Sequence, residues 1–377
     1  MLKFLRLMKN EFIKLSLKLS TWIMIIIVLA LCIGYSVLCY AIPRYNAGYY
    51  TVNSASGYKS EIEYLEDVKP DDWKEQVENY QFLLDNQIYD GWRYGAAQEM
   101  FSLKTDNADK ETAEKIGLIR KAIENNDWKM YYQYRIDENK AIYTDEEERE
   151  VQNWGYKYCL DNNIEPIAGE WKTEVIDELA QAKISAYQAE NSPIPLKGDA
   201  EREYSTLKDR IKVNEYRLEN NIEYIVEDDG LSALLTGDFT FNIWIMLSMG
   251  VQLVSTIGLI VIIIAGGIVA SEFSAGTIKF LLINPVTRGK ILVSKYAVVI
   301  SISFILLLLM YIIFGFMGGI LSGFKDIGAS NLSVRNGKVV EVSGFLFMAK
   351  TYLLASINMI VMATLAFTIS SLMRSSA

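Results

Sequence analysis

Four long apolar runs, separated by polar and charged segments, set the pattern of this chain. The uncharged stretches are residues 19–42, 239–271, 296–324 and 351–373. A helix needs about 20 apolar residues to cross the hydrocarbon core of a membrane. The pattern therefore predicts four transmembrane helices. The second run is long enough to tilt or bend, and Gly266 and Gly267 are its expected weak point.

The long polar segment between the first two runs has a helical period. Trp73, Val77, Tyr80 and Leu84 follow Pro70 at helical spacing. Similar patterns cover residues 109–125, 170–189 and 200–226, with a loop at Pro193 and Pro195. The predicted fold class is an all-α membrane protein: a polytopic helical bundle with a large, mainly helical extracellular domain between spans one and two.

Charge predicts the orientation of the chain. Residues 43–240 carry 23 Lys and Arg against 42 Asp and Glu, whereas the remainder carries 14 against 4. Both residues 1–18 and residues 271–295 are basic, and basic flanks favour the cytoplasmic side. The prediction is a multi-pass protein of the bacterial plasma membrane with a cytoplasmic N-terminus. The acidic segment would lie outside, and its charge argues against nucleic acid as a partner.

These patterns divide the chain into nine segments. In order, they are an interfacial amphipathic helix at 1–18, a first span at 19–42, an extracellular helical domain at 43–238, a second span at 239–270, a cytoplasmic loop at 271–295, a third span at 296–324, an extracellular loop at 325–350, a fourth span at 351–373 and a cytoplasmic end at 374–377. The first segment alternates apolar residues with Lys3, Arg6, Lys9, Lys14 and Lys18. Such a helix is expected to lie in the membrane interface, with its cations at anionic headgroups.

The residue types present exclude most catalysis. The chain has no histidine, so it lacks the commonest general base and zinc ligand. It also has no G-x-x-x-x-G-K-[ST] sequence for binding nucleotide phosphates. We therefore predict no catalytic, cofactor-binding or metal site on this chain. Of the three cysteines, Cys32 and Cys39 lie in the first span, and Cys159 lies in the outer segment, where it is expected to react with thiol reagents.

The outer segment is rich in aromatic residues. The tryptophans singled out as candidate ligand contacts are Trp73, Trp92, Trp128, Trp154 and Trp171. Together with the surrounding acids they are compatible with a site for a cationic, amphipathic ligand. The alternative is that they form the core of a small helical domain with an acidic solvated face, and this alternative is favoured.

The cytoplasmic loop carries the most specific pattern. With Glu272, Gly276-Thr277, Leu281-Leu282, Pro285, Arg288 and Lys295 in this order and spacing, the chain resembles the permease subunits of type-2 ABC exporters. The resemblance implies that the loop forms a coupling helix seated in the ATP-binding subunit. The coupling residues it implies are Glu272, Gly276, Thr277, Lys279, Leu281, Leu282, Pro285 and Arg288.

The resemblance also implies the partners and the function. ATP and Mg would be held by separate cytoplasmic ATP-binding subunits, and the permease would act with a second copy or a paralogue. The large outer insertion looks like the bacitracin- and lantibiotic-exporter branch, which favours an exported amphipathic substrate such as a cationic peptide. Because the family has six spans, two further spans are expected beyond Ala377.

Two other functions remain open. A four-span chain with an outer domain resembles the mechanotransmitting ABC proteins, although their outer domain is rich in β-structure. A membrane receptor or sensor with an extracellular ligand-binding domain and no transport is the second alternative, and it gives no reason for the loop pattern.

Overall fold

The computed structural model describes residues 2–47, 53–104, 109–226, 242–274, 287–324 and 326–373. Its helices are α1 (Leu2–Ser16), α2 (Leu19–Ala47), α3 (Ala55–Val68), α4 (Trp73–Asp85), α5 (Gly91–Ser102), α6 (Lys110–Glu124), α7 (Trp128–Ile142), α8 (Glu146–Asn162), α9 (Trp171–Glu190), α10 (Asp199–Asn220), α11 (Ile243–Gln252), α12 (Val254–Ser274), α13 (Arg288–Ser322) and α14 (Gly344–Met373). Two strands, β1 (Ser330–Arg335) and β2 (Lys338–Ser343), lie between the last two helices.

The chain forms two compact units. The first comprises Met1–Gly48, Ile225–Asn331 and Val342–Ala377, and the second comprises Tyr49–Tyr224 and Leu332–Glu341. The first unit therefore contains the predicted spans, and the second contains the helices of the acidic segment together with the outer part of the β-hairpin. The prediction of a mainly helical protein is confirmed in the described residues.

The first unit contains helices that match the predicted spans. Leu19–Ala41, Gly289–Ser322 and Gly344–Leu372 are each long and apolar enough to cross a membrane. The pair Ile243–Gln252 and Val254–Ala270 meets the same test together and is bent by 47°. Within the described residues there are thus three candidate spans, or four if the bent pair counts as one.

The bend in the second apolar run lies at Leu253, so the prediction of a weak point at Gly266 and Gly267 is wrong. Before the bend, in the middle of α11, the Tyr352 hydroxyl donates to the Leu247 carbonyl at 2.9 Å. Around Gly266 the helix continues without a break to Ser274.

α11 and α12 run in the same direction as α14. Near one end, Tyr352 of α14 bonds the Leu247 carbonyl of α11. Near the other end, the Ser370 hydroxyl of α14 donates to the Gly266 carbonyl of α12. Residue numbers therefore rise together along both helices, as the second and fourth crossings of a membrane require.

α13 runs in the opposite direction. Its start meets the end of α14, where Tyr296 Oη lies 2.9 Å from Thr364 Oγ1. Its end meets the start of α11, where a Cβ built on Gly318 would lie 2.9 Å from the Ile243 Cα. The end of α12 and the start of α13, which flank residues 275–286 in the chain, consequently lie at the same end of the bundle.

A β-hairpin follows α13, which the all-α prediction did not contain. Its turn residues Asn336 and Gly337 have φ values of 51° and 76°, as a two-residue turn of type I′ requires. Ser330 at the base pairs with Ile225, and Val226 N donates to the Ser330 carbonyl at 3.0 Å. The helix predicted over residues 200–226 accordingly ends earlier, at Asn220.

In the second unit, successive helices from α5 to α10 pack against one another, and α3 packs on α4. The core is strongly aromatic. Its buried residues include Tyr58, Leu83, Met100, Ile123, Trp128 and Tyr132. The Asp109 and Asp145 carboxylates cap α6 and α8 by accepting backbone N–H groups at 2.8 and 2.9 Å. The hairpin joins this unit through the Tyr216 hydroxyl, which donates to Glu341 Oε1 at 3.0 Å.

Candidate functional site at the basic end of the bundle

The predicted amphipathic helix is present as α1, and it packs against α13. The face of α1 that is buried carries Glu11 and Leu15, whereas Leu5 and Ile13 are 56% and 45% exposed. The apolar face identified in the sequence is therefore only partly used for packing within the chain. Its exposed apolar side chains are available to another apolar environment, as an interfacial helix needs.

A buried ion pair fastens α1 to α13. Lys295 Nζ lies 2.7 Å from Glu11 Oε2, and the two side chains are 3% and 9% exposed. The second oxygen of the same carboxylate accepts from Lys14 Nζ at 3.2 Å. Removing one member of a buried pair leaves an uncompensated charge, which typically costs about 3–5 kcal/mol. This contact therefore fixes where α1 lies against the first turns of α13.

Basic side chains of α1 and of the residues just after it are exposed. They are Arg6, Lys9 and Lys14 of α1 and Lys18 beyond its end, and Lys3 is a residue of the first turn of the helix. At the end of α1, the Trp22 indole N–H donates to the Ser16 carbonyl at 2.8 Å and so satisfies one of the open acceptors. Cations and an exposed tryptophan at one level are typical of a membrane–water boundary.

The structure describes only the ends of the predicted coupling segment. Glu272 lies in the last turn of α12, and Arg288 is the first residue of α13. The other predicted coupling residues fall outside the described residues: Gly276, Thr277, Lys279, Leu281, Leu282 and Pro285. The role of these eight residues stays a prediction. What the structure adds is that α13, which follows the segment directly, is clamped to α1 two turns later at Lys295.

The five tryptophans named as candidate ligand contacts do not form one cluster. Trp128 is buried at 8% exposure in the aromatic core, and Trp92 and Trp154 are partly buried against that core. Trp92 stacks on Tyr131 with ring centroids 5.8 Å apart. Core packing accounts for these three residues without a ligand, as the favoured alternative supposed.

The other two, Trp73 and Trp171, are partly buried outside that core. Two lysines of the chain lie over the ring of Trp73, and one lies over the ring of Trp171. Lys69 and Lys74 lie 5.9 and 5.8 Å from the ring of Trp73, and Lys172 lies 5.5 Å from that of Trp171. A cationic ligand at these rings would have to compete with the protein's own ammonium groups. Their role as ligand contacts remains a prediction.

Glu99 is the centre of a hydrogen-bond network in the second unit. It accepts from the Tyr131 hydroxyl and from Arg135, both at 2.6 Å, and from the Tyr134 hydroxyl at 3.4 Å. Burial, and then the carboxylate of Glu99, raise the pKa of Tyr131 well above its usual value. This network joins α5 to α7 by contacts within the protein, so it stabilises the domain.

The prediction that Cys159 reacts with thiol reagents is wrong. It is buried at 3% exposure, and burial raises the pKa of its thiol to about 12. Thiolate is the reactive form, so this cysteine reacts poorly with thiol reagents. In the parts of the chain that the structure describes, no group of three or more Cys, Asp or Glu residues is placed to hold a metal ion.

The Glu11–Lys295 contact could not be found from charge counting, which treated both residues as members of two basic segments. The sequence position of each residue nevertheless indicates that its charge is paired. Glu11 is the single acid of residues 1–18, and Lys295 is the last charge before a long apolar run. A lone acid on the packing face of a basic helix calls for a cation, because a buried carboxylate must be paired.

Comparison with known proteins places these features in a family of membrane transport proteins. The model of the ABC-2 family transporter protein family matches residues 5–377, and the chain belongs to this family. It is similar to the uncharacterized protein YhcI of Bacillus subtilis (strain 168), with 35% identity over 172 residues, which are 45% of this chain and 51% of YhcI. The uncharacterized membrane protein YdbK of the same organism is 52% identical over 52 residues, or 14% of this chain and 21% of YdbK.

The chain thus spans about half the length of the first of these relatives and about a fifth of the second. No solved structure matches the chain. Membership of the ABC-2 family supports a permease component of an ABC transporter.

Proposed function

We propose that this chain is the permease subunit of an ATP-driven exporter of the plasma membrane, with ATP and Mg bound by separate cytoplasmic subunits. A second permease, a copy or a paralogue, completes the transporter. The basic end of the bundle would face the cytoplasm, and the acidic domain would lie outside the cell. The substrate would be an amphipathic molecule, with cationic peptides as the class to test first.

The observation that carries this proposal is the Glu11–Lys295 ion pair, which lies two turns into α13, the helix that follows residues 275–286 in the chain. α12 leads into this segment and α13 leaves it, and the pair ties α13 to the amphipathic helix α1. A force applied to the segment by an ATP-binding subunit would therefore act on two spans and on the interfacial helix together. Such a rigid group is what conversion of a cytoplasmic ATP cycle into span movement needs.

The coupling role can be tested at Glu272 in the complex with the ATP-binding partner. Glu272→Ala should uncouple ATP hydrolysis from transport or weaken subunit association, while the protein still inserts and folds. Glu63→Ala, at an exposed position in α3, is the matched control and should leave both unchanged. Normal assembly and normal coupling in Glu272→Ala would remove this segment from the proposal.

The orientation can be tested with an impermeant thiol reagent. Ser56 is exposed in α3, so Ser56→Cys should label in intact cells if the acidic domain is outside. The native cysteines are buried and provide a low background. Labelling of Ser56→Cys only after lysis would reverse the proposed topology.

The substrate class follows from the charge of the outer segment. Residues 43–240 carry 23 basic against 42 acidic side chains, which attracts cations from solution. Exposed charges are screened beyond about 8 Å at physiological salt, so peptide binding should weaken as salt rises. The purified full chain is titrated with a cationic amphipathic peptide and with a charge-reversed control. Equal behaviour of the two peptides would exclude peptide capture and leave the domain a shielding or gating role.

A further inference from the structure

Every second helix of the second unit ends in the same turn. Residues 84–88, 123–127, 160–164 and 218–222 end α4, α6, α8 and α10, and each segment has an acid in second place, then Asn, then Asn or Gln. The residue in fourth place has a positive φ each time, at 53°, 52°, 53° and 55°. The N–H group of the fifth residue donates to the carbonyl five positions earlier, at 2.9 Å in all of these turns. Each turn is therefore a Schellman ending built from the same residue types.

The helices that follow these turns also begin alike. An acid precedes the first residue of α5, of α7 and of α9, and Trp followed by a basic residue stands in the first turn of each. The spacing of the first three repeated turns lies within the range of about 34 to 47 residues that helix-pair repeats show. The described residues of this unit thus form repeated helix pairs, which are α3–α4, α5–α6, α7–α8 and α9–α10.

The pairs stack as repeats do. The two helices of a pair pack on each other, and the second helix also packs on the first helix of the next pair. The first helices α5 and α7 meet directly, through the stacked rings of Trp92 and Tyr131 and the ion pair of Glu99 with Arg135. Among the described residues, no two second helices pack on each other to the same extent. The stack therefore curves toward its first helices, and such curvature gives repeat proteins an extended concave surface.

Exposed polar side chains of the first helices form what we call the first-helix surface. It consists of Gln98 of α5, Gln133 of α7, and Glu174, Asp177 and Gln181 of α9. Burial, and then Cys159 and Asp177, raise the pKa of Tyr132 above its usual value, so the acidic stripe of α9 lies close to α7. Three successive first helices thus each contribute an exposed amide to one surface.

This surface has the chemistry to hold an extended polypeptide. A Gln side chain has both donor and acceptor groups, which match the N–H and C=O groups of a backbone outside helices and sheets. Glu174 and Asp177 lie one turn apart and have no ion pair within the described residues. Desolvation, and then the carboxylate of Glu174, raise the pKa of Asp177. Two carboxylates that repel each other favour a cationic side chain beside them.

We propose that the second unit is a solenoid of helix pairs whose first-helix surface binds an extended, cationic segment of polypeptide. Successive pairs contact successive parts of the bound chain. The acids select cationic side chains, and the amides bind the backbone whatever its sequence. This inference deepens the peptide part of the proposed function and rests on it, and it adds that the peptide is bound in linear form.

The first measurement compares ligands of different shape at equal charge. The full chain in lipid nanodiscs is titrated at low salt with a fluorescent linear peptide of alternating lysine and serine, and binding is followed by anisotropy. The affinity should rise as the peptide is lengthened. A head-to-tail cyclised form, or a polyamine with the same number of charges, should bind at least about tenfold more weakly. Equal affinity of the linear peptide, the ring and the polyamine would overturn the proposal.

The second measurement tests the amides. Gln98→Ala removes an exposed amide from the first helix α5 and should weaken binding of the linear peptide by about threefold to tenfold, as the loss of one hydrogen bond does. Gln76→Ala removes an exposed amide from the second helix α4 and is the matched control. The control should bind as the wild type does, and equal losses in the two variants would contradict the assignment.

The third measurement tests the acids in the same way. Glu174→Gln/Asp177→Asn should weaken binding further than loss of one amide and should reduce its dependence on salt, because the variant lacks the charges that salt screens. Glu75→Gln/Glu78→Gln removes two exposed acids one turn apart on α4, so the change of charge is the same. An equal effect of the two double variants would mean that the charge of the whole unit, and not the first-helix surface, attracts the peptide.

Failure of this inference and failure of the proposed function give different results. Binding of cationic peptides that depends neither on their shape nor on these variants would remove the first-helix surface and leave the peptide substrate. No binding of any cationic peptide would remove both of these. The permease role would still stand if the permease-dependent ATPase activity of the complex were normal, because that activity does not depend on which substrate is carried.

Discussion

Lys295 Nζ lies 2.7 Å from Glu11 Oε2, although the two residues are separated by 284 positions in the chain. Both side chains are almost fully buried. The pair joins the helix that precedes the first span to the helix that follows the segment between spans two and three. Because desolvated charges are costly to separate, the contact holds these two helices at a fixed position relative to each other.

Reversing one charge of this pair should destabilise the protein. We expect Glu11→Lys or Lys295→Glu alone to cost about 3–5 kcal/mol of stability, because each places two like charges in a buried site. The double variant Glu11→Lys/Lys295→Glu should recover most of this loss. Thermal unfolding in detergent, followed by the monodisperse fraction, measures it. Lys14→Ala serves as the control, since Lys14 is 52% exposed and its pair with Glu11 should contribute below about 1 kcal/mol.

Gly250 lies at a close approach of three helices in the bundle and should not accept a larger residue. A Cβ at this position would overlap the Tyr352 hydroxyl and lie 2.6 Å from Phe314 Cδ2. Gly250→Ala should therefore lower stability by about 1–3 kcal/mol, the usual cost of overpacking. Gly266→Ala is the matched control, because no atom lies within 4 Å of its added Cβ. A variant at Gly250 that unfolds no earlier than the one at Gly266 would contradict the packing described here.

The Glu99 network should stabilise the second unit. The side chains of Glu99 and Arg135 are 21% and 30% exposed, so their pairing is protected from solvent on most sides. Glu99→Ala should cost about 1.5–3 kcal/mol, since it removes hydrogen bonds to a charged group and leaves Arg135 unpaired. Asp137→Ala breaks an exposed pair with Lys140, at 55% and 61% exposure, and should cost less than about 1 kcal/mol. Equal losses of stability in the two variants would mean that the network contributes little.

Acid should weaken the helix caps of the second unit. Backbone N–H groups, of Thr112 and Glu148 respectively, lower the pKa of Asp109 and of Asp145 below the usual 3.8. A lowered pKa in the folded state means that the stability is fully present above pH 3.8 and is lost as the pH falls through the lower, folded value. Thermal unfolding of Asp109→Asn/Asp145→Asn, followed by circular dichroism, should show a smaller loss below pH 3.8 than the wild type. Asp199→Asn, at a fully exposed carboxylate, should not change the profile.

The helical part of the fold could largely be predicted from the sequence. Apolar runs long enough to span a membrane are set by the bilayer, so α2, α13 and α14 coincide with predicted runs. The start of α4 at Trp73 also agrees with its signals, because Pro70 and the following acids act locally. Such features depend on neighbours in the sequence alone.

Features that depend on tertiary contacts were missed. The bend at Leu253 follows a segment of α11 in which Tyr352 of another helix bonds the Leu247 carbonyl, and no local pattern shows this contact. The hairpin had a visible signal in Asn336-Gly337, but its strands have six residues each and were absorbed into a loop. The partner of Glu11 was beyond reach, because it depends on which face of α1 packs against α13.

The most direct test of the coupling mechanism is the ATPase activity of the complex formed with the ATP-binding partner, measured in lipid for the Glu11–Lys295 charge variants. If the pair passes movement between the cytoplasmic segment and the spans, Glu11→Lys and Lys295→Glu should each lose the permease-dependent change in ATPase activity, and the double variant should regain it. Wild-type coupling in both single variants, or a double variant that folds and assembles but couples no better than either, would contradict the account.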